Sequence, residues 1–212
     1  MKRQRLTYKV AEGKMLPGNV GYVMITNFND HCADHTIAAI DDLVEQGAES
    51  LVFDVRYNGG GYVTELVEIL DYLLPEGLLF RSVEDGKTED YESDDSCLEL
   101  PMAVLVNGSS YSAAEFFAAA LREYDWAIVA GEPTTGKGYF QNTFNLGDGS
   151  AVGLSVGQYY TPKGVSLQEV GGLTPDVVVE VDEETAALIY AQLLDPMEDP
   201  QLQAAIKAME SR

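Results

Sequence analysis

Short apolar runs and helical apolar spacings alternate along the first two thirds of the chain. Residues 20–26, VGYVMIT, and 50–55, SLVFDV, are almost wholly apolar, which is typical of strands in a parallel sheet that is buried on both faces. Between them Ile37, Ile40 and Leu43 recur at helical intervals. The pattern therefore predicts a β-α-β unit.

The same alternation continues beyond the turn RYNGGG. It predicts a helix in TELVEILDYLL, a strand in PMAVLV, a helix in AAEFFAAALREY and a strand in AIVA. Residues 84–99 hold eight acidic residues and one lysine, so we expect a solvated hairpin or loop there.

The last third of the chain has a different pattern. From Tyr139 it shows alternation and turns, with GDG as a hairpin turn. Two helices follow, for which Asp182 and Asp199 are the expected N-caps. The predicted fold class is α/β, with a mostly parallel sheet and an antiparallel C-terminal part.

Composition narrows the class of protein. The chain has 212 residues, of which 46% are hydrophobic and 23% charged, as in an ordinary globular domain. Its formal charge of -22 disfavours binding to nucleic acid or to anionic membranes. No apolar run reaches the roughly 20 residues of a membrane span, and the start, MKRQRLTYKV, lacks the apolar core of a signal peptide.

The two histidines and two cysteines do not define a functional site. Cys32 and Cys97 allow at most one disulfide. His31, Cys32 and His35 resemble metal ligands in spacing, but Asp30 is the expected N-cap of the helix there, which leaves both histidines on solvated first turns. We therefore predict no metal site.

Ser112 opens the helix AAEFFAAALREY and is a candidate nucleophile. A serine hydroxyl needs a base to take its proton, and the free amide of Ala113 at the positive end of the helix would stabilise an oxyanion. The alternative is structural, because Ser112 and Glu115 also form the S-x-x-E pattern of a capping box. Ser112, Ala113 and Glu115 alone do not decide between a catalytic and a structural role for Ser112.

Two further segments also allow either a catalytic or a structural interpretation. The glycines of Arg56–Gly61, RYNGGG, allow backbone amides to approach a ligand closely, but they also suit a plain strand-to-helix turn. Lys137, between two glycines before a strand, lies four residues from Gln141, so the two would share a face if the strand included the lysine. To act as a base the amine must be neutral, which desolvation favours; otherwise it is a surface lysine.

Five ordered motifs resemble the C-terminal processing peptidases, or tail-specific proteases, which are serine peptidases with a Ser/Lys pair. The resemblance covers the chain from about Gly21 onward. The motifs are DVRYNGGG at 54–61, SYSAAE at 110–115, GEPTTGKGYFQ at 131–141, YYTP at 159–162 and GLTPD at 172–176.

The resemblance implies a role for each matching residue. Ser112 corresponds to the nucleophile, Lys137 to the general base and Gln141 to the residue that orients the lysine, with the amides of Gly61 and Ala113 as the oxyanion hole. It implies no metal and no organic cofactor, and a fold of the crotonase and caseinolytic-protease type, a ββα superhelix. The supporting positions that it implies are Gly60, Arg56, Asn58, Glu115 and Thr134.

The resemblance also implies a domain layout and a substrate class. Residues 1–19 would lead into a serine peptidase core at 20–212, without the PDZ domain that usually precedes it. Substrates would be unfolded proteins or C-terminal segments, and the location extracytoplasmic, while homo-oligomerisation is left open. The alternatives are a catalytically silent peptide-binding module and a crotonase-type enzyme, which would need Glu65 as its acid.

Overall fold

The computed structural model describes residues 8–211, so residues 1–7 of the predicted N-terminal segment and residue 212 lie outside the described part. The described strands are β1 (Ala11–Leu16), β2 (Val20–Ile25), β3 (Ser50–Asp54), β4 (Gly77–Glu84), β5 (Lys87–Ser93), β6 (Met102–Val106), β7 (Ala127–Gly131), β8 (Tyr139–Asn145), β9 (Ala151–Tyr160) and β10 (Val177–Val178). The helices are α1 (Cys32–Glu45), α2 (Val63–Leu73), α3 (Ala113–Glu123), α4 (Leu167–Val170), α5 (Glu183–Tyr190) and α6 (Pro200–Glu210), with a 3₁₀ turn at Pro196–Glu198.

The main sheet has six strands in the order β1-β2-β3-β6-β7-β10. Neighbouring strands are parallel from β2 to β10, and β1 pairs antiparallel with β2. The predicted β-α-β unit is confirmed as β2-α1-β3. Strand β1 lies in the segment that we expected only to lead into the core, and it extends the sheet by one strand.

Both faces of this sheet are covered, which explains the continuous apolar runs. Leu51, Phe53 and Val104 pack in one cluster with α1, α2 and α3. Val52 and Leu105, on the opposite face, pack under α6. Successive residues of a strand point to opposite faces, so each face needs its own apolar set.

The antiparallel part is a second sheet with the order β5-β4-β9-β8. The acidic segment forms the hairpin β4–β5, as expected, and joins this sheet where Arg81–Glu84 pairs with Gly157–Tyr160. The α/β class with a mostly parallel sheet and an antiparallel C-terminal part is thus confirmed, and the acidic hairpin is a structural half of that part.

Two of the three aspartates that were predicted as N-caps hold that position. Asp182 caps α5 and Asp199 caps α6 through their side chains. The prediction of Asp30 as the N-cap of α1 is wrong: His31 holds that position with φ 68° and no side-chain cap bond. The amide of Ala33 in the first turn donates instead to a carboxylate of α2 at 2.8 Å, so this helix start is capped by a residue distant in sequence.

Candidate active site

Ser112 lies where the turn after β6 enters α3. It holds the N-cap position with φ 59° and ψ −126°, a conformation that residues with a side chain rarely adopt. The turn is held by Ser110, whose buried hydroxyl donates to the carbonyl of Val55 at 2.7 Å. Strained backbone of this kind costs about 1–3 kcal/mol and clusters at functional sites. Ser110 therefore has a structural role, while Ser112 is placed by its surroundings in a strained strand-to-helix turn.

The capping box predicted for Ser112 and Glu115 is present. The amide of Ser112 donates to Glu115 Oε2 at 2.9 Å, and the amide of Glu115 donates to the carbonyl of Ser112 at 2.9 Å. Capping thus holds Ser112 at the start of α3. A hydroxyl oxygen that accepts an amide hydrogen keeps its own O–H as a donor, so a structural role for Ser112 does not exclude a nucleophilic one.

The glycine turn after β3 lies directly against Ser112. Asn58, fully buried, fixes the turn by donating to the carbonyl of Ile25 and accepting the amide of Gly60, both at 2.8 Å. A Cβ at Gly60, where φ is 85°, would come within 2.9 Å of the Ser112 Cβ. A Cβ at Gly61 would come within 2.3 Å of the Phe28 backbone. Only glycine allows this approach of the two loops.

Two backbone amides next to Ser112 have no acceptor among the described residues. They belong to Gly61 in the glycine turn and to Ala113, the first residue of α3. The first amides of a helix have no intrahelical partner, and the bridge between Phe28 and Gly61 uses the carbonyl of Gly60 and the amide of Tyr62. Both predicted oxyanion-hole amides are therefore free to donate.

A fully buried carboxylate links α3 to the loop that carries Lys137. Glu115, in the first turn of α3, accepts the amides of Gly136 at 2.6 Å and Lys137 at 2.8 Å. It also accepts the hydroxyl of Thr134 at 2.5 Å. Together with the bond from the Ser112 amide, this makes four hydrogen bonds to one side chain, which we call the Glu115 clamp. The clamp sets the backbone of Lys137 relative to that of Ser112.

The relation of Lys137 to Gln141 differs from the predicted one. Strand β8 begins at Tyr139, so Lys137 precedes the strand and the argument from a shared strand face does not apply. The Gln141 side-chain amide donates to Ser155 Oγ at 3.3 Å. The Lys137 Nζ lies 5.5 Å from the ring centroid of Tyr111, a cation–π arrangement. In this structure the aromatic ring, and not Gln141, is the recorded neighbour of the amine.

A cavity of about 400 Å³ brings the predicted residues together. Its lining includes Ser112, Lys137, Gln141, Gly61 and Ala113. The rest of the wall is largely aromatic or aliphatic, from Tyr62, Val63, Leu66, Phe80, Phe116, Tyr139, Phe140 and Tyr159. A hydroxyl, an amine and two free amides thus converge in a mainly apolar cleft, as in a typical ligand site.

Arg56 lies away from this cavity and lines a second one of about 560 Å³. Its guanidinium is bonded to Asp54, to Gln201 Oε1 at 2.8 Å and to Asp199 Oδ2 at 2.7 Å. Burial works against its charge, but these two carboxylates outweigh burial and raise the pKa of Arg56 above its ordinary value. Arg56 therefore ties β3 to α6 and supports the glycine turn from behind.

The other sequence candidates do not join the cleft. Glu65 lies on α2 as expected, but its carboxylate accepts the amide of Ala33 at 2.8 Å, so it is committed to capping α1. Cys32 is buried and Cys97 half-buried, and both are free thiols. Within residues 8–211, no group of three or more metal-ligating side chains is found.

Sequence reasoning missed two features of the cleft. The sequence offers no reason to assign a role to Tyr111, although its ring lies under the Lys137 amine. The stacked rings of Phe140 and Tyr159, 4.6 Å apart, were read as parts of an alternating pattern. Aromatic residues beside the motif positions were the available signal, but only the pairing of β8 with β9 shows that they meet.

Comparison with known proteins decides the family. The model of peptidase family S41 matches residues 19–179, which is more than half of the chain. The chain belongs to peptidase family S41. The resemblance indicated by the five motifs is confirmed, and two relatives of this family illustrate it. A carboxyl-terminal-processing protease of Synechocystis is 33% identical over 193 residues, covering 90% of this chain and 44% of the relative. Carboxyl-terminal-processing peptidase 2 of Arabidopsis thaliana, a chloroplastic protein, is 34% identical over 188 residues, covering 83% and 36%.

A solved structure supports the same S41 assignment. The photosystem II D1 C-terminal processing protease superposes with a TM-score of 0.76 at 30% identity, covering 94% of this chain and 56% of that one. This S41 chain thus spans less than half the length of the two relatives and little more than half of the solved chain. Among its described residues, no helix is both long and apolar enough to cross a membrane.

Proposed function

We propose that this S41 chain is the catalytic core of a serine endopeptidase that cleaves unfolded or C-terminal polypeptide segments through an acyl-enzyme. The observation that carries the proposal is Ser112, strained at φ 59°, in one cavity with Lys137, Gly61 and Ala113. Family membership and the names of the relatives support the same reaction.

In the first step, the neutral amine of Lys137 takes the proton of the Ser112 hydroxyl as the oxygen attacks the scissile carbonyl. The amides of Gly61 and Ala113 donate to the oxygen that gains charge. The protonated amine then gives its proton to the leaving nitrogen, and the peptide bond breaks. An ester between Ser112 and the N-terminal product remains.

In the second step, water attacks the ester while the same amine takes a proton from it. Collapse of the tetrahedral intermediate returns that proton to Ser112 and releases the product acid. The Glu115 clamp keeps the Lys137 backbone in place through both steps, since it bonds the amides of both residues. Gln141, which lines the same cavity, orients the amine once its side chain turns from Ser155.

The test is digestion of casein, an unfolded protein, by the wild type and by Ser112→Ala and Lys137→Ala, with product termini read by mass spectrometry. Ser109→Ala and Lys163→Ala are matched controls, because both residues are exposed and lie outside the cavity. We expect the first two variants to lose cleavage and the controls to keep it. Cleavage that survives in Ser112→Ala would overturn the mechanism, while casein bound but uncut by the wild type would favour the silent binding module.

We also propose an extracytoplasmic place of action, supported by the family resemblance alone. The Arabidopsis relative is a chloroplastic protein. Fractionation of the source cells, with an antibody to this chain, tests the proposal. Detection only in the cytoplasm would contradict it.

A further inference from the structure

Half of the hairpin formed by β8 and β9 stands apart from the rest of the second sheet. Strand β4 pairs with β9 only over Gly157–Tyr160. Residues 141–155, which we call the ribbon, form strand pairs only within the hairpin among the described residues, and the side chain of Asn142 donates to Glu84 Oε1 of β4 at 3.5 Å. An isolated two-stranded ribbon is only marginally stable in water. The exposed apolar side chains of this ribbon therefore indicate a surface that binds something else.

The ribbon has one apolar face. Asn142 pairs with Leu154 and Phe144 with Val152, and facing residues share a face of the sheet. The opposite face carries Gln141, Thr143, Asn145, Ala151, Gly153 and Ser155. The apolar side chains are open to solvent: Phe144 is 45%, Val152 37% and Leu154 51% exposed.

The apolar face is continuous with the catalytic cavity. Asn142 lines that cavity and sits on the ribbon between the cavity and the Phe144–Val152 pair. The cavity wall nearest to it is aromatic, from Phe140 and Tyr159. On β8, Phe140 and Asn142 line the cavity from the side that carries Phe144, while Gln141 lines it from the opposite side. The apolar face is therefore one of the two surfaces that a chain leaving the cavity along β8 meets.

The ribbon also differs in charge from the rest of the molecule. Residues 139–160 hold a single charged side chain, Asp148 in the turn, in a chain with 35 acidic and 13 basic residues. A strand of seven residues is about 23 Å long, enough for about six or seven residues of extended peptide. The surface thus suits an uncharged, extended segment.

We propose that the apolar face of the ribbon binds the part of an unfolded substrate that extends out of the cavity. It selects uncharged segments with apolar side chains at alternate positions, because these meet a flat strand pair with the same two-residue period. The proposal rests on the proposed peptidase function for its substrate. Its test uses binding and not cleavage, so the two can fail separately.

The experiment measures fluorescence anisotropy with the Ser112→Ala protein. One probe is a labelled, uncharged peptide of about twelve residues with leucine at alternate positions, which exceeds the ribbon in length. The second probe is its central part of about five residues, about 17 Å long when extended, which is too short to reach from the cavity along the whole ribbon. We expect the long peptide to bind at least about tenfold more tightly than the short one.

The variants locate the added affinity. With Phe144→Ser and Leu154→Thr added to Ser112→Ala, the long peptide should bind no more tightly than the short one. Leu193→Ser is the matched control, because Leu193 is 74% exposed and lies outside both cavities; it should keep the preference for the long peptide. Since the replaced side chains are all solvent-exposed, folding should survive each change.

Three outcomes would overturn the proposal. They are equal affinity for both peptides in the parent protein, a preference that survives both ribbon substitutions, and a dimer in light scattering that the ribbon substitutions dissociate. The last would assign the face to a second copy of the chain. If the parent protein prefers the long peptide, the ribbon substitutions abolish that preference and the wild type leaves casein uncut, the proposed catalysis is rejected and the binding surface is supported.

Discussion

At the scale of single residues, the backbone of Ser112 is a decisive feature of the cleft. Replacement by glycine removes the hydroxyl but also the strain, since glycine adopts φ near +60° freely while serine held at ψ −126° costs about 1–3 kcal/mol. We expect Ser112→Gly to be inactive and about 1 kcal/mol more stable than the wild type. Urea denaturation measures this, and a loss of stability in that variant would contradict the inferred strain.

The Glu115 clamp is the second prediction at this scale. In Glu115→Gln one oxygen becomes an NH₂ group that faces two donors, so we expect a loss of about 3 kcal/mol in stability. Because the Lys137 loop shifts, kcat should fall on the order of 10²-fold with a smaller change in KM.

The exposed Glu45, replaced by glutamine, is the matched control and should change neither quantity. Stability and kinetics measured together separate positioning from folding. A Glu115→Gln enzyme that is less stable but has wild-type kcat would show that the clamp has no part in catalysis.

The two cysteines should differ in reactivity. Burial raises the pKa of Cys32 to about 12, so at pH 8 almost none of its thiol is the reactive thiolate. Cys97 is half-buried and free. We expect iodoacetamide at pH 8 to label Cys97 and spare Cys32 until urea unfolds the chain, as peptide mass mapping would show. Equal labelling in the folded protein would contradict the buried environment of Cys32.

At the scale of elements, α6 is held by more than its apolar face. Asp199 caps the helix through the amides of Gln201 and Leu202 and also pairs with buried Arg56. Asp182 caps α5 in the same way but is exposed. We expect Asp182→Ala to cost about 1 kcal/mol and Asp199→Ala about 3 kcal/mol or more, since it also breaks a buried ion pair. Equal costs in urea denaturation would contradict a stabilising role for that pair.

Element boundaries followed the sequence wherever an apolar run or helical spacing was complete. The segment PMAVLV became β6 and AAEFFAAALREY became α3, each within about one residue of the prediction. Strand β1, AEGKML, was not predicted because its middle residues Glu12, Gly13 and Lys14 are exposed. A strand at the edge of a sheet needs no continuous apolar sequence. Strand β1 therefore forms through its pairing with β2 and leaves no apolar pattern in the sequence.

At the scale of the whole molecule, the sequence predicted which residues meet but not every contact between them. Motifs far apart in the chain converge because β3 and β6 are parallel neighbours and end at the same edge of the sheet. The hydrogen bond from Arg56 to Gln201 joins residues 145 positions apart, and no local sequence pattern predicts it. The orientation of Gln141 relative to Lys137 depends on the residue at which β8 starts. Sequence patterns place a strand start only to within a few residues.

The most direct test of the central claim, that Lys137 activates Ser112, is acylation by a reactive ester. The chain is incubated with p-nitrophenyl acetate near neutral pH, quenched in acid at successive times and mapped by peptide mass spectrometry. We predict that Ser112 is acetylated far faster than Ser109 in the wild type, and that this difference disappears in Lys137→Ala. Equal acetylation of Ser112 with and without Lys137 would contradict the claim.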